Sequence, residues 1–304
     1  DPKLWDWLAA AYQGQGKQML RHQALGESYV RKYDLPRAID QFDIASKAKD
    51  GLVLTAIPFW LVSRKLEAAP WFAQAFEAKQ TDQVMAALKA TAVPVTPELQ
   101  IEAPQKAENG AVVQVELTSH QPAGSVSSLR LLADANPTPL IASFEFGKQV
   151  MPKVVTRIKL AQSGEVIALL QQVSGQFQQQ RREVVVLEDG CAGSEREEPF
   201  STSMKMRARI LEDGALGKNI TELKIIILHP MRTGRSKNDD GQLMPAHFMQ
   251  LMQVVLNGQV VVDAQTGTGI SRNPYFTFYL KDAKAGDVIA VNWQDNLGYE
   301  GHGQ

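Results

Sequence analysis

A single cysteine, Cys191, stands in 304 residues. One thiol excludes an intrachain disulfide framework and any metal site built on several cysteines. Charge of one sign is equally scarce: 32 basic residues against 33 acidic ones leave a formal charge of −1. The basic face that nucleic-acid binders carry is therefore not expected, nor is a nucleic-acid partner. Long apolar runs are missing too. The longest, Leu52 to Val62, is broken by Pro58, whereas a membrane span needs roughly 20 apolar residues. It reads as a buried core segment, with a vestigial export signal as the alternative, since such a signal should lie at the N-terminus behind basic residues. There is no glycine-rich phosphate loop and no strand–helix alternation of a parallel sheet. What is present, 44% hydrophobic and 21% charged residues, is globular composition with enough apolar surface to offset chain entropy. The length suits two domains or slightly more.

Three compositions follow one another. In residues 1–50, aromatics and small residues recur at helical spacing: Trp5, Leu8, Ala9 and Tyr12, then Leu25, Gly26 and Tyr29. Pro36 fits a first helical turn, where its missing N–H costs nothing, and Ile39, Phe42, Ile44 and Ala45 continue the pattern up to Asp50-Gly51. His22 to Asp50 resembles one tetratricopeptide repeat. A lone repeat cannot bury its own apolar face, so a helical appendage docked on its neighbour is expected; a peptide-binding groove is the sharper alternative. Residues 70–80 and 81–90 read as two further short helices.

From about residue 98 the period falls to two. Strands are expected over Leu99–Ile101, Ala111–Leu117, Ser127–Leu132, Leu140–Phe146, Val154–Leu160, Glu165–Leu170 and Arg182–Leu187, separated by turn signals such as Asn136-Pro137 and Ser174-Gly175. A polar linker, residues 194–203, precedes a second set: Lys205–Ile210, Ile220–Leu228, Leu251–Leu256, Val260–Ala264, Tyr275–Leu280 and Val288–Trp293. Asn257-Gly258 is a hairpin signal. Short strands at this spacing predict antiparallel sandwiches. The expected fold is mainly β: two immunoglobulin-like antiparallel β-sandwiches with a short α-helical N-terminal extension. Its divisions are 1–66 helical, 67–193 first sandwich, 194–203 linker and 204–304 second sandwich.

Cys191 lies in Glu188-Asp189-Gly190-Cys191-Ala192-Gly193, just beyond the last strand of the first sandwich. A structural cysteine usually sits among large apolar residues, whereas these neighbours are tiny. A thiol on a slender glycine-containing arm suits delivery into another protein's cleft; an ordinary loop cysteine is the bland alternative. Glu188, Asp189, Glu195, Glu197 and Glu198 surround it against Arg196 alone, and negative neighbours disfavour a thiolate, so its pKa should not fall below about 8.5. No histidine lies beside it in sequence to act as a base, although His229 or His247 could approach in space. The thiol thus depends on a partner for activation. Autonomous thiol catalysis is the weakest reading, and no catalytic residue, metal ligand or cofactor is assigned.

Residues about 70–193 resemble the SoxY sulfur-carrier subunit, and about 204–304 its companion SoxZ. The first resemblance rests on Ala103-Pro104, Ala107-Glu108-Asn109-Gly110, Asn136-Pro137-Thr138-Pro139-Leu140, Thr156-Arg157-Ile158-Lys159 and the Gly190-Cys191 element. The second rests on His229-Pro230-Met231, Thr233-Gly234, Pro245-Ala246-His247-Phe248, Asn257-Gly258, Ser271, Asn273-Pro274-Tyr275, Lys284-Ala285-Gly286-Asp287 and Trp293-Gln294-Asp295-Asn296. The resemblance implies a non-catalytic periplasmic carrier in thiosulfate oxidation, whose two halves pair with each other. Cys191 would be the attachment site on an arm of Asp189, Gly190, Ala192 and Gly193. A SoxAX-type haem enzyme would load it, a SoxB-type hydrolase would remove sulfate, and a SoxCD-type dehydrogenase would oxidise the remaining sulfur. Asp189 and Ala192 replace two family glycines, and Asp189 adds bulk and charge to the arm. The arm, normally a free C-terminus, here runs on into the SoxZ-like half. Fused carriers that accompany quinoprotein dehydrogenases make a cargo other than thiosulfate an alternative, as is a non-carrier scaffold.

Other polar residues read as structural. His247, within Met244-Pro245-Ala246 and Phe248-Met249, is expected to be a hydrogen-bonded packing residue, and His229-Pro230 to end a strand. Met244, Met249 and Met252 read as core filler. Arg232, Arg235 and Lys237 read as a solvated hairpin tip, or alternatively as an anion- or partner-contacting loop.

Overall fold

The computed structural model describes residues 2–15, 17–31, 37, 41, 44, 71–90, 93–188, 202–211, 216–238 and 240–303. The chain divides into two compact units, Asp1–Val62 and Ser63–Gln304. The first contains helices α1 (Pro2–Gly14) and α2 (Gln18–Arg31). Ala9 and Ala24 are buried, and Ser28 Oγ donates to Asp6 Oδ1 at 2.6 Å, so small residues and one polar contact pin the pair together. Most of the repeat-like stretch beyond Arg31, and all of Leu52–Val62, lies outside the described residues.

The second unit opens with two short helices, α3 (Trp71–Glu77) and α4 (Thr81–Ala87). Eight strands follow: β1 (Leu99–Glu102), β2 (Lys106–Ala107), β3 (Val113–Ser119), β4 (Val126–Ala133), β5 (Leu140–Phe146), β6 (Val150–Ile158), β7 (Gly164–Gln172) and β8 (Phe177–Val186). Seven more complete it: β9 (Met204–Ile210), β10 (Ile220–Ile227), β11 (Met249–Leu256), β12 (Gln259–Thr266), β13 (Tyr275–Lys281), β14 (Ile289–Asp295) and β15 (Glu300–Gly303). The mainly β, sandwich-type fold foreseen from the sequence is thus the one observed.

The sandwiches are not separate bodies. One sheet runs β1-β3-β6-β13-β10-β9 and the other β15-β14-β11-β12-β5-β4-β7-β8-β2. In each sheet a strand of the first half pairs with one of the second: β5 with β12, placing Phe144 opposite Ala264, and β6 with β13, placing Thr156 opposite Phe276. Read outward from these seams, the orders match: β6-β3-β1 mirrors β13-β10-β9, and β5-β4-β7-β8 mirrors β12-β11-β14-β15. The unit is a duplicated frame with approximate two-fold symmetry, joined edge to edge.

Local sequence explains the layers. Along β3, Val113, Val115 and Leu117 alternate with polar residues and face the interior, as a sheet with one wet face requires. Strands β4, β5 and β7 are buried at most positions because α3 and α4 cover their outer face, through Ala75, Val84 and Leu88 against Leu132, Leu140, Ile167 and Leu169. The core between the sheets is continuous across the halves. At the seam Phe144 meets Phe276 and Phe278 edge-on at 6.0 and 5.9 Å, a geometry worth about 0.5–1.5 kcal/mol per pair beyond burial. At the β11–β12 hairpin Asn257 and Gly258 both take positive φ, 49° and 81°, as the tight primed turn requires.

Candidate functional site

The described chain fixes the segment that leads up to Cys191. At the end of β8, the N–H of Val185 donates to the Gln105 carbonyl and that of Leu187 to Ala107, both at 3.0 Å, and β2 runs parallel to β8 with Lys106 opposite Val185 and Ala107 opposite Val186. The Glu188 carbonyl accepts from the N–H of Gly110 at 2.8 Å, while the Gly110 carbonyl accepts from Leu160 at 2.8 Å. Asn109 shapes this turn, its Oδ1 accepting from Ala111 N–H at 2.7 Å. Ala107-Glu108-Asn109-Gly110 is therefore a buckle that holds the chain up to three residues before the thiol. Beside it lies an open groove floored by Ala103, Pro104 and Val113 and rimmed by Glu102, Glu108 and Glu116. Asp189, Gly190, Cys191, Ala192 and Gly193, and the linker 194–201, lie outside the described residues.

In the second half, three sequence motifs converge on one point. His229 follows β10, His247 precedes β11, and Asp295 ends β14; all three side chains are buried. His247 Nε2 lies 2.7 Å from Asp295 Oδ2 and His229 Nε2 lies 3.3 Å from the same oxygen. The other carboxylate oxygen accepts from the backbone N–H groups of Leu297 and Tyr299, both at 2.9 Å. The far ring nitrogens are engaged as well. His229 Nδ1 accepts from Met231 N–H at 3.1 Å, and His247 Nδ1 faces an Arg232 NH2 at 3.3 Å, which can only donate. Both ring protons therefore sit on Nε2, and both rings donate to Asp295. Burial is the main cause that pushes the His229 pKa down, to about 4, with the Asp295 hydrogen bond opposing it.

Two histidines and a carboxylate are a ligand set for a metal ion, and among the described residues no other cluster of this kind forms. The hydrogen bonds do not fit that use. A metal would need the Nε2 lone pairs, which would shift both protons to Nδ1 and set each against a donor. The arrangement instead suits a structural clamp. Asn296, next along, extends it: Oδ1 accepts from Phe248 N–H at 2.7 Å and Nδ2 donates to the Ala246 carbonyl at 3.1 Å. Lys159 Nζ, from the first half, donates to the Met231 carbonyl, tying the clamp across the seam.

His247 is thus the hydrogen-bonded packing residue the sequence suggests, and His229 lies just past a strand end. Asp295 as their shared acceptor is not foreseen: it lies 66 and 48 residues from the two rings. Met244, Met249 and Met252 are buried. A second polar cluster crosses the seam on the outer face of the longer sheet. There Glu145 lies opposite Asp263 and accepts from Arg130 at 2.9 Å; burial raises the pKa of both carboxyls, and the guanidinium opposes this at Glu145.

The comparisons agree with the division into halves. Residues 84–191 match the family model of sulfur oxidation protein SoxY, and residues 209–304 match that of sulphur oxidation protein SoxZ. No curated protein matches the chain. Among solved structures, the sulfur carrier protein SoxY from Chlorobium limicola f thiosulfatophilum is 31% identical, with 38% of this chain and 99% of that one aligned and a TM-score of 0.31. A superoxide reductase (neelaredoxin) from Ignicoccus hospitalis is 22% identical, over 35% of this chain and 92% of that one, with a TM-score of 0.28. No helix among the described residues is long and apolar enough to cross a membrane. With the two family models spanning about two thirds of its length in succession, the chain belongs to the SoxY and SoxZ sulfur-oxidation proteins, the two joined in one polypeptide.

Proposed function

We propose that the chain is a covalent sulfur carrier whose Cys191 is charged and discharged by partner enzymes. The observation that carries this is that the SoxY match ends on Cys191, the only cysteine in the chain. The fixed root ending at Glu188 supports the reading, because an arm pivoting on a rigid base can present its thiol to more than one site. Asp189, Gly190, Ala192 and Gly193 form the arm, with domain divisions at 66/67, 193/194 and 203/204.

In the loading step, the Cys191 thiolate and the sulfane sulfur of thiosulfate form an S–S bond. Two electrons pass to a SoxAX-type haem enzyme and the thiol proton goes to solvent. Water then cleaves the S–SO3 bond at a SoxB-type hydrolase, releasing sulfate and leaving a persulfide, which a SoxCD-type dehydrogenase oxidises in turn. The chain contributes the thiol and its reach, not the catalysis. Covalent joining gives the halves a high effective concentration and fixed one-to-one pairing. A periplasmic location accords with the family. The test is to incubate reduced protein with thiosulfate and a SoxAX-type enzyme. Intact mass should rise by one thiosulfate-derived group, mapped to Cys191 and absent from Cys191→Ser; a wild-type chain that stays unmodified under conditions that load a known SoxYZ sinks the reading.

A further inference from the structure

Helices α3 and α4 build their cluster on the longer sheet; the shorter sheet carries an ordered row of charge on its outer face. Cross-strand partners share a face, and one row runs the width of that sheet: Glu102 of β1, Glu116 of β3, Val155 of β6, Thr277 of β13, Lys224 of β10 and Arg207 of β9. The adjacent row points into the core through Val115, Thr156, Phe276 and Ile225, so this one points outward. Two acids thus stand at one edge and two bases at the other, with the seam midway. Like charges directly opposite each other are destabilising, yet Glu102 faces Glu116 and Lys224 faces Arg207. Local contacts relieve the inner member of each couple: Lys153 donates to Glu116, and Lys224 lies 3.2 Å from Glu222. The outer members, Glu102 and Arg207, are exposed, and neither side chain has an ion-pair or hydrogen-bond partner among the described residues.

The rest of the face keeps the same polarity. Outward on β9 and β10, Lys205 and Arg209 join Arg207 and Lys224 against Glu222 alone, whereas the outward residues of β1 and β3 include no base. The central strands set cations on rings: Arg157 lies over Tyr275 at 4.9 Å and Lys153 over Tyr279 at 5.4 Å. Six strands about 4.8 Å apart and about 20 Å long give roughly 500 Å² of flat face. Laid against an equal area, it reaches the roughly 1,000 Å² at which a specific interface begins.

We infer that this face binds a second copy of the chain in an isologous two-fold dimer. Turned about an axis that runs along the seam, the copy lays its β9 on β1, its β10 on β3 and its β13 on β6. Arg207 of one copy then meets Glu102 of the other and Lys224 meets Glu116, each twice by symmetry. Arg157 and Lys153 meet the rings of Tyr275 and Tyr279, and no like charges come directly opposite. The order of charge along the row selects this occupant, because it is complementary to its own reverse and to no surface of a single sign. The face does not involve Cys191, so the inference stands apart from the carrier reading.

Sedimentation velocity on the full reduced chain, over a micromolar concentration series, tests it. An interface of this size should give a monomer–dimer equilibrium in the micromolar range, weakening as salt screens the exposed charges. Arg207→Glu and Glu102→Lys each set like charges at both symmetry-related contacts and should weaken the dimer at least about a hundredfold. An equimolar mixture of the two variants should restore it, because the two reversed residues then meet each other and the remaining contact is unchanged. That rescue also separates lost binding from lost fold. Cys191→Ser should dimerise as the parent does. A chain that stays monomeric throughout, a dimer indifferent to both reversals, a mixture that recovers nothing, or a dimer lost with the thiol overturns the inference.

Discussion

The two halves share a strand order and little else. The first adds a third layer, α3 and α4, over β4, β5 and β7, and its described chain ends at Glu188, bonded to Gly110. The second has no helix among its described residues and gathers its polar residues into a sealed clamp of His229, His247 and Asp295. On the proposed reading, one copy of the frame carries the reactive group and the other a buried polar clamp beside the seam. On that reading a duplicated fold divides its labour: the first half supplies the thiol, and the second a clamp that needs burial, since a carboxylate with four donors gains most where water is excluded.

The comparison can be broken most directly at the thiol. Cys191→Ser should abolish adduct formation in intact-mass spectra while leaving the urea midpoint where it was. Asp295→Ala should do the reverse. It strands two ring donors and the N–H groups of Leu297 and Tyr299, at a cost on the order of 4 kcal/mol in urea unfolding, while folded molecules still load at Cys191. If that variant lost loading without losing stability, the clamp would be part of the chemistry and the division of labour would be wrong.

Acid probes the clamp next. His229 is held neutral with a folded-state pKa of about 4, below its ordinary 6.5. The unfolded chain therefore binds the extra proton first, and stability falls as pH drops from 6.5 toward 4. At about 1.4 kcal/mol per pH unit, this one ring accounts for about 3 kcal/mol, measured as the pH dependence of the urea midpoint. A midpoint flat over that window would mean that water reaches the ring.

A smaller effect separates β15 from its counterpart β8. Gly301 lies against Trp293, where a Cβ would fall 2.4 Å from the indole Nε1, while β8 has no glycine. Gly301→Ala should cost about 1–3 kcal/mol through overpacking, read from chemical denaturation. Smallest of all, Arg181→Gln in β8 removes a half-exposed pair with Glu165, 2.8 Å long, and should shift stability by less than about 1 kcal/mol.

Much of the frame is readable locally. Leu140–Phe146 is a strand from first to last residue as its apolar run suggests, and Asn257-Gly258 forms its hairpin, because each depends on neighbours within a few residues. Strands β2 and β15 are not readable. The first is two residues long and exists only through its parallel contact with β8; the second, Glu300–Gly303, is half glycine and is a strand through its pairing with β14, with Gly301 where Trp293 leaves no room for a Cβ. The fusion of the sheets is hidden for the same reason, since nothing within β5 specifies that its edge meets β12. Histidines at 229 and 247 can be singled out in sequence, but their acceptor is set by the fold. The arm is the opposite case: its composition alone draws attention to Cys191, and the described structure reaches only its base.

Both seams have a consequence for solubility. A freestanding first half would leave the outer edges of β5 and β6 bare, and a freestanding second half those of β12 and β13, four rows of unpaired amides ready to template a stranger's strand. Within one chain each row finds its mate without diffusing. The second half therefore also serves as a built-in hem, guarding against aggregation and against pairing with the wrong homologue.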